Sequence, residues 1–136
     1  MGTQLVNDAH RHLGKMPAFP FYGGPPCNPD MLARGSVAEL IADLDSAGVE
    51  RALVLPNYGV PDASVSFGFN PLVLEAAAAD DRIRCGLWVS PRPQDAELNT
   101  AALALAGEQG VAALKTSFLL GGRADDPDCQ VQLDRI

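Results

Sequence analysis

The feature that most constrains this chain is an alternation of two hydrophobic patterns. Short continuous apolar runs take turns with longer segments whose apolar residues recur at helical spacing. Leu5-Val6-Asn7-Asp8-Ala9-His10 reads as a first strand, Arg51-Ala52-Leu53-Val54-Leu55 as a second, Arg84-Cys85-Gly86-Leu87-Trp88-Val89 as a third and Val111 to Thr116 as a fourth. Between them, Ser36 with Glu39 forms a capping box, Val37, Leu40, Ile41 and Leu44 share one helical face, and Gly48 is placed to end that helix. Leu72 to Ala79 and Ala96 to Glu108 read as two further helices. Strands joined by helices of this length pair in parallel, because a parallel connection needs a crossover of a dozen or so residues. The expected fold class is therefore α/β, with four βα units at roughly 30-residue spacing.

Composition narrows the function classes. The chain has 136 residues, 47% of them hydrophobic and 20% charged, enough for one core and unlike a disordered chain. Its 10 basic and 17 acidic residues give a net charge of −7, which repels phosphate backbones and anionic lipid headgroups. Neither a nucleic acid nor a membrane is expected as a partner. With no run approaching the ~20 apolar residues of a spanning helix, and no signal-peptide pattern, the chain reads as soluble and cytoplasmic. Cys27, Cys85 and Cys129 are odd in number and lack a C-x-x-C pair, so they read as reduced, with Cys85 a small buried hydrophobe.

Glycine and proline are concentrated in loops. From Leu13 to Gly35 the breakers Gly14, Pro17, Pro20, Gly23, Gly24, Pro25, Pro26 and Pro29 forbid regular structure. Phe19, Phe21 and Tyr22 are embedded there, and a loop of this length in a compact domain is usually functional. Near the other end, Asp125, Asp126, Pro127 and Asp128 start a helix whose apolar residues, Val131, Leu133 and Ile136, continue to the last residue without a stop signal.

Both histidines of the chain fall in Asp8-Ala9-His10-Arg11-His12. Residues two apart on a strand share a face, so His10 and His12 can present imidazoles to a common centre, as a metal with ~2.0–2.1 Å nitrogen bonds requires. Asp8 has the same parity and could accept a ring N–H. The spacing alone fits equally well two neighbours in a polar loop. Placement favours the ligand reading, because parallel α/β folds collect their chemistry at the carboxyl ends of strands. The other strands also end in polar residues: Asn57 and Tyr58, then Ser90 and Arg92, then Lys115, Thr116 and Ser117.

These residues carry a resemblance. Val6-Asn7-Asp8-Ala9-His10-Arg11-His12-Leu13-Gly14 resembles the opening D-x-H-x-H-x-G-like motif of the amidohydrolase superfamily, in its amidohydrolase-related branch of metal-dependent hydrolases and decarboxylases. Gly48 to Leu55 and Gly110 to Lys115 are similar to that family's second and fourth strand entries. The resemblance implies a (β/α)8 TIM-type barrel whose first-strand H-x-H pair, His10 and His12, binds a divalent metal, most often zinc. It also implies further histidines after strands five and six and an aspartate after strand eight, which this sequence lacks. A barrel of this class takes roughly 250 residues. The chain is thus expected to be the N-terminal half-barrel, completed by a C-terminal half on another chain or segment.

The activity implied is metal-dependent hydrolysis of an amide, ester or lactone of a small molecule. Non-oxidative decarboxylation of a small aromatic or unsaturated carboxylic acid is the rival within enzymes, and a non-catalytic structural or regulatory half-barrel is the rival outside them. A complete flavodoxin-like binder is disfavoured because no glycine-rich phosphate loop follows the first strand. Phe19, Tyr22, Asn57, Arg92 and Lys115 are the candidate substrate contacts. Arg92 could pair with a carboxylate, and Lys115 occupies the position where a binuclear branch of the superfamily bridges two metals with a carboxylated lysine. Either cation could instead be structural or solvated. Trp88 reads as core, and Cys27 has no histidine left to activate it as a nucleophile.

Overall fold

A computed structural model describes residues 6–15, 35–57, 63–117, 123 and 125–136. Strands β1 (Val6–Leu13), β2 (Val49–Pro56), β3 (Ile83–Trp88) and β4 (Val111–Lys115) form one sheet in the order β1-β2-β3-β4, every pair parallel. Chain order equals spatial order, so each crossover moves one strand over in the same direction. That is the succession of half a (β/α)8 barrel, whereas a flavodoxin-like sheet places its second strand outside its first.

Helix α1 (Val37–Ser46) begins where the sequence says it should. Ser36 Oγ accepts from the Glu39 backbone N–H at 3.3 Å, and Glu39 Oε2 accepts from the Ser36 N–H at 3.1 Å. Gly48 follows the helix at φ 63°, a conformation that costs other residues more. The second crossover holds two helices, α2 (Ala63–Gly68) and α3 (Asn70–Ala79), where periodicity indicates only the second. Segment 63–68 mixes serine and glycine with its apolar residues and so offers little propensity signal. A 3-10 turn (Pro93–Asp95) leads into α4 (Ala96–Ala104), which stops four residues before Glu108.

Two further sequence expectations are corrected. The first strand does not end at His10 but runs through Arg11 and His12 to Leu13, because β2 extends the ladder to Leu13 and Pro56. The last helix, α5 (Pro127–Leu133), does finish: the Asp134 N–H caps it on the Gln130 and Gln132 carbonyls. Part of its apolar side finds a surface within this chain, although Val131 stays 50% exposed. Cys129 is buried, and Ile136 packs against a cluster of Phe67, Trp88, Val89 and Ala102.

The main core lies between the sheet and the helices. Leu40 and Leu44 of α1 and Val73 and Ala76 of α3 pack on Ala52 and Val54 of β2 and on Ile83, Cys85 and Leu87 of β3. Residues alternating with these face the opposite side of the sheet. A Cβ built on Gly86 would lie 2.5 Å from Leu55 and 3.4 Å from Ala113, which places all three together on that second face. The central strands are sealed and the outer ones are not: Val54 and Leu87 are 0% exposed, Val6 is 42% and Leu114 38% exposed. Among the described residues no helix is long and apolar enough to cross a membrane.

Candidate functional site

An irregularity in β1 sets the geometry of the histidine pair. Asp8 pairs with Ala52 and Arg11 with Val54, so three steps along β1 match two along β2. One extra residue is a β-bulge, and it reverses the parity of everything beyond it. Asp8 and Arg11 therefore lie opposite core-facing residues of β2, while His12 lies opposite Leu55 on the other face.

The bulge separates Asp8 from the imidazoles. Its Oδ1 accepts the His10 backbone N–H at 3.2 Å and its Oδ2 accepts Arg11 Nε at 3.0 Å. Even parity along an unbroken strand would have turned this carboxylate toward the rings. His10 and His12 do converge, with their Nε2 atoms 2.9 Å apart and ring centroids 4.7 Å apart.

His12 is further specified by β2. Its Nδ1 lies 3.2 Å from the Pro56 carbonyl oxygen. A carbonyl can only accept, so Nδ1 carries the hydrogen and the neutral ring has its lone pair on Nε2, facing His10. Burial pushes the His12 pKa below the usual imidazole value. The Pro56 bond opposes that shift, and electrostatic repulsion from the neighbouring His10 and Lys115 side chains reinforces it. His12 is thus favoured as a neutral base with a directed lone pair.

Two imidazole nitrogens 2.9 Å apart are closer than twice a ~2.0–2.1 Å metal–nitrogen bond, so one ion can reach both. Among the described residues no group of three His, Cys, Asp or Glu side chains is gathered tightly enough to hold a metal.

The other sequence candidates are distributed unevenly. Lys115 ends β4 opposite Trp88, near enough for its charge to act on His12. Asn57 follows β2 directly and is 3% exposed, its Nδ2 donating to the Gly14 carbonyl at 3.0 Å. Arg92 is drawn toward α4, its Nε donating to Asp95 Oδ2 at 2.7 Å. Phe19 and Tyr22, with residues 16–34 of their loop, and Tyr58 lie outside the described residues.

Sequence reasoning placed Ser90 and Arg92 at the end of β3 but missed the Asn70, Asp95 and Asn99 side chains gathered there. Asn70 accepts the Trp88 N–H at 2.7 Å and donates to the Trp88 carbonyl at 3.2 Å. Asn99 treats Ser90 alike, at 2.8 and 2.7 Å. Each amide side chain thus replaces a strand neighbour for one peptide unit. Ser90 Oγ and Arg92 Nε both donate to Asp95 Oδ2. Asparagines inside helical segments were the available signal, since this residue lowers helix propensity and needs partners when buried.

No family model matches the sequence, and no curated protein matches it. Among solved structures, the chain is similar to a crystal structure of a probable 2-pyrone-4,6-dicarboxylic acid hydrolase from Acinetobacter baumannii with citric acid bound. The identity is 17% and the TM-score 0.48, over 96% of this chain and 45% of that one. The chain therefore spans less than half the length of that protein.

Proposed function

We propose that this chain is the metal-binding N-terminal half of an amidohydrolase-type (β/α)8 hydrolase, with His10 and His12 as ligands to a divalent ion, zinc by preference. The observation that carries the reading is the convergence of the two Nε2 atoms, 2.9 Å apart on a strand of a parallel half-barrel sheet. A complementary C-terminal half-barrel, on another chain or segment, supplies the remaining ligands and the acid/base carboxylate. Both edges of the present sheet, β1 and β4, are where its strands would pair.

What the ion supplies when bound is Lewis acidity, which activates water near neutral pH and polarises a substrate carbonyl. The chain's own residues prepare the place. Burial lowers the His12 pKa, which favours the neutral ring, and the Pro56 carbonyl accepts from its Nδ1. Lys115 offers a positive charge on the same side, suited to a substrate carboxylate or to the developing negative charge of acyl transfer. The substrate class is a small lactone, ester or amide.

The test is hydrolysis by the chain assembled with its complementary half, assayed against small lactones, esters and amides. Activity abolished by chelation and restored by zinc supports the reading. Hydrolysis that survives complete metal removal overturns it.

A further inference from the structure

Asn57 reads from the sequence as a substrate contact, yet the structure ties it to the end of β1 at two points. Its backbone N–H donates to the Leu13 carbonyl at 3.0 Å, and its side-chain Nδ2 donates to the Gly14 carbonyl at 3.0 Å. Both bonds close just beyond His12. They matter because β1 is an edge strand of this sheet, with β2 as its one neighbour among the described residues.

The turn they hold admits little else. Gly14 has φ 118°, and a Cβ there would lie 2.6 Å from the Phe69 ring. Residue 14 is thus pinned between Phe69 and Asn57. On the β2 side, the residue preceding Asn57 is Pro56, whose carbonyl meets His12 Nδ1. The distance from His12 to that carbonyl depends on how residues 12–14 sit against residues 56–57, which is the relation the two Asn57 bonds fix.

A neutral imidazole has two tautomers, and the hydrogen bond made by one nitrogen selects which nitrogen keeps a lone pair. We infer that Asn57 is a positioning residue: it clamps the end of β1 against Pro56 and so holds His12 as the Nδ1–H tautomer, presenting the Nε2 lone pair beside His10 to a divalent cation. The inference rests on the reading of the pair as a metal site. It gives the buried amide a task distinct from touching substrate.

The experiment uses the 136-residue chain labelled with nitrogen-15 at histidine, free of metal and at pH 8, with His12 assigned by comparison with His12→Gln. Long-range proton–nitrogen correlation spectra distinguish the tautomers, and a zinc titration follows on the same samples. Wild type should show His12 with hydrogen on Nδ1. Asn57→Ala should show mixed tautomers and bind zinc about tenfold more weakly, the scale of losing a group that orients a ligand.

A variant that is less stable but keeps the Nδ1–H tautomer and full zinc affinity makes Asn57 merely structural and overturns the inference. Should Asn57→Ala fail to fold, the wild-type spectrum still decides, since mixed tautomers or hydrogen on Nε2 would contradict the clamp. Zinc binding with mixed wild-type tautomers sinks the positioning role and leaves the metal site standing. A fixed Nδ1–H tautomer with a zinc affinity that neither His10→Ala nor His12→Ala lowers sinks the metal site instead.

Discussion

The ends of β1 and β3 carry polar residues in comparable number and use them in opposite ways. At β3, Asn70, Ser90, Arg92, Asp95 and Asn99 bond to each other and to the backbone of Trp88 and Ser90. Buried polar groups belong to the fold when they are satisfied in this way, because an unmade bond there costs roughly 1–3 kcal/mol. At β1, the Pro56 carbonyl orients His12 so that its Nε2 lone pair meets His10 Nε2 at 2.9 Å. A lone pair at that distance from a second ring nitrogen can accept that ring's N–H or share a cation with it. One strand end is closed on itself by hydrogen bonds to its own backbone, and at the other two rings meet.

The largest effect should come from opening the closed end. Asp95→Ala leaves Arg92 without its carboxylate and Ser90 Oγ without its acceptor, in a pair whose side chains are 16% and 8% exposed. Loss of one partner from a buried pair is expected to cost about 3 kcal/mol, read as a lower urea midpoint at unchanged slope. A loss below about 0.5 kcal/mol would mean that the cluster is not structural.

Next in size is Gly14→Ala, at the hinge of the open end. Its positive φ and the overlap with the Phe69 ring predict a loss of roughly 1–3 kcal/mol by the same denaturation measurement. Equal stability would show that the turn relaxes freely and that the β1 end is not rigidly held.

A smaller effect separates the amino ends of the strands from both. Arg82 bonds Asp80, Asp45 and the Val49 carbonyl, and its guanidinium holds the Asp80 carboxyl below the usual carboxylate range. A depressed native pKa stabilises fully above the unfolded value, about 3.9, and that contribution is lost as pH falls through the native value. Acid unfolding should therefore show a component between those two values that Asp80→Asn removes. Identical acid profiles for the two proteins would contradict it.

The legible part of the molecule was the part governed by local patterns. The strands, the α1 capping box and the Gly48 stop follow from hydrophobic period and from the few residues that satisfy helix ends. The pairing of His10 with His12 was legible for the same reason, since i and i+2 share a face. Asp8 was misplaced because a bulge leaves no mark in one strand's sequence: it is a mismatch between two strands, visible only in the register of β1 on β2. The Pro56 carbonyl and the asparagine brackets of β3 were hidden because each joins a side chain to backbone of a different element, 9 to 44 residues away. The seat of Ile136 on the Trp88 cluster was hidden likewise, since periodicity shows that a helix has an apolar side but not what covers it.

The contrast between the two strand ends is tested most directly by titrating zinc into wild type, His10→Ala and His12→Ala while recording the urea stability of each. His10 is exposed, so its replacement should change stability by less than about 0.5 kcal/mol and yet weaken zinc binding by at least tenfold, with His12→Ala weakening it as much. Zinc affinity that is equal in all three proteins would contradict the account, and the histidine pair would then be an ordinary contact between two rings.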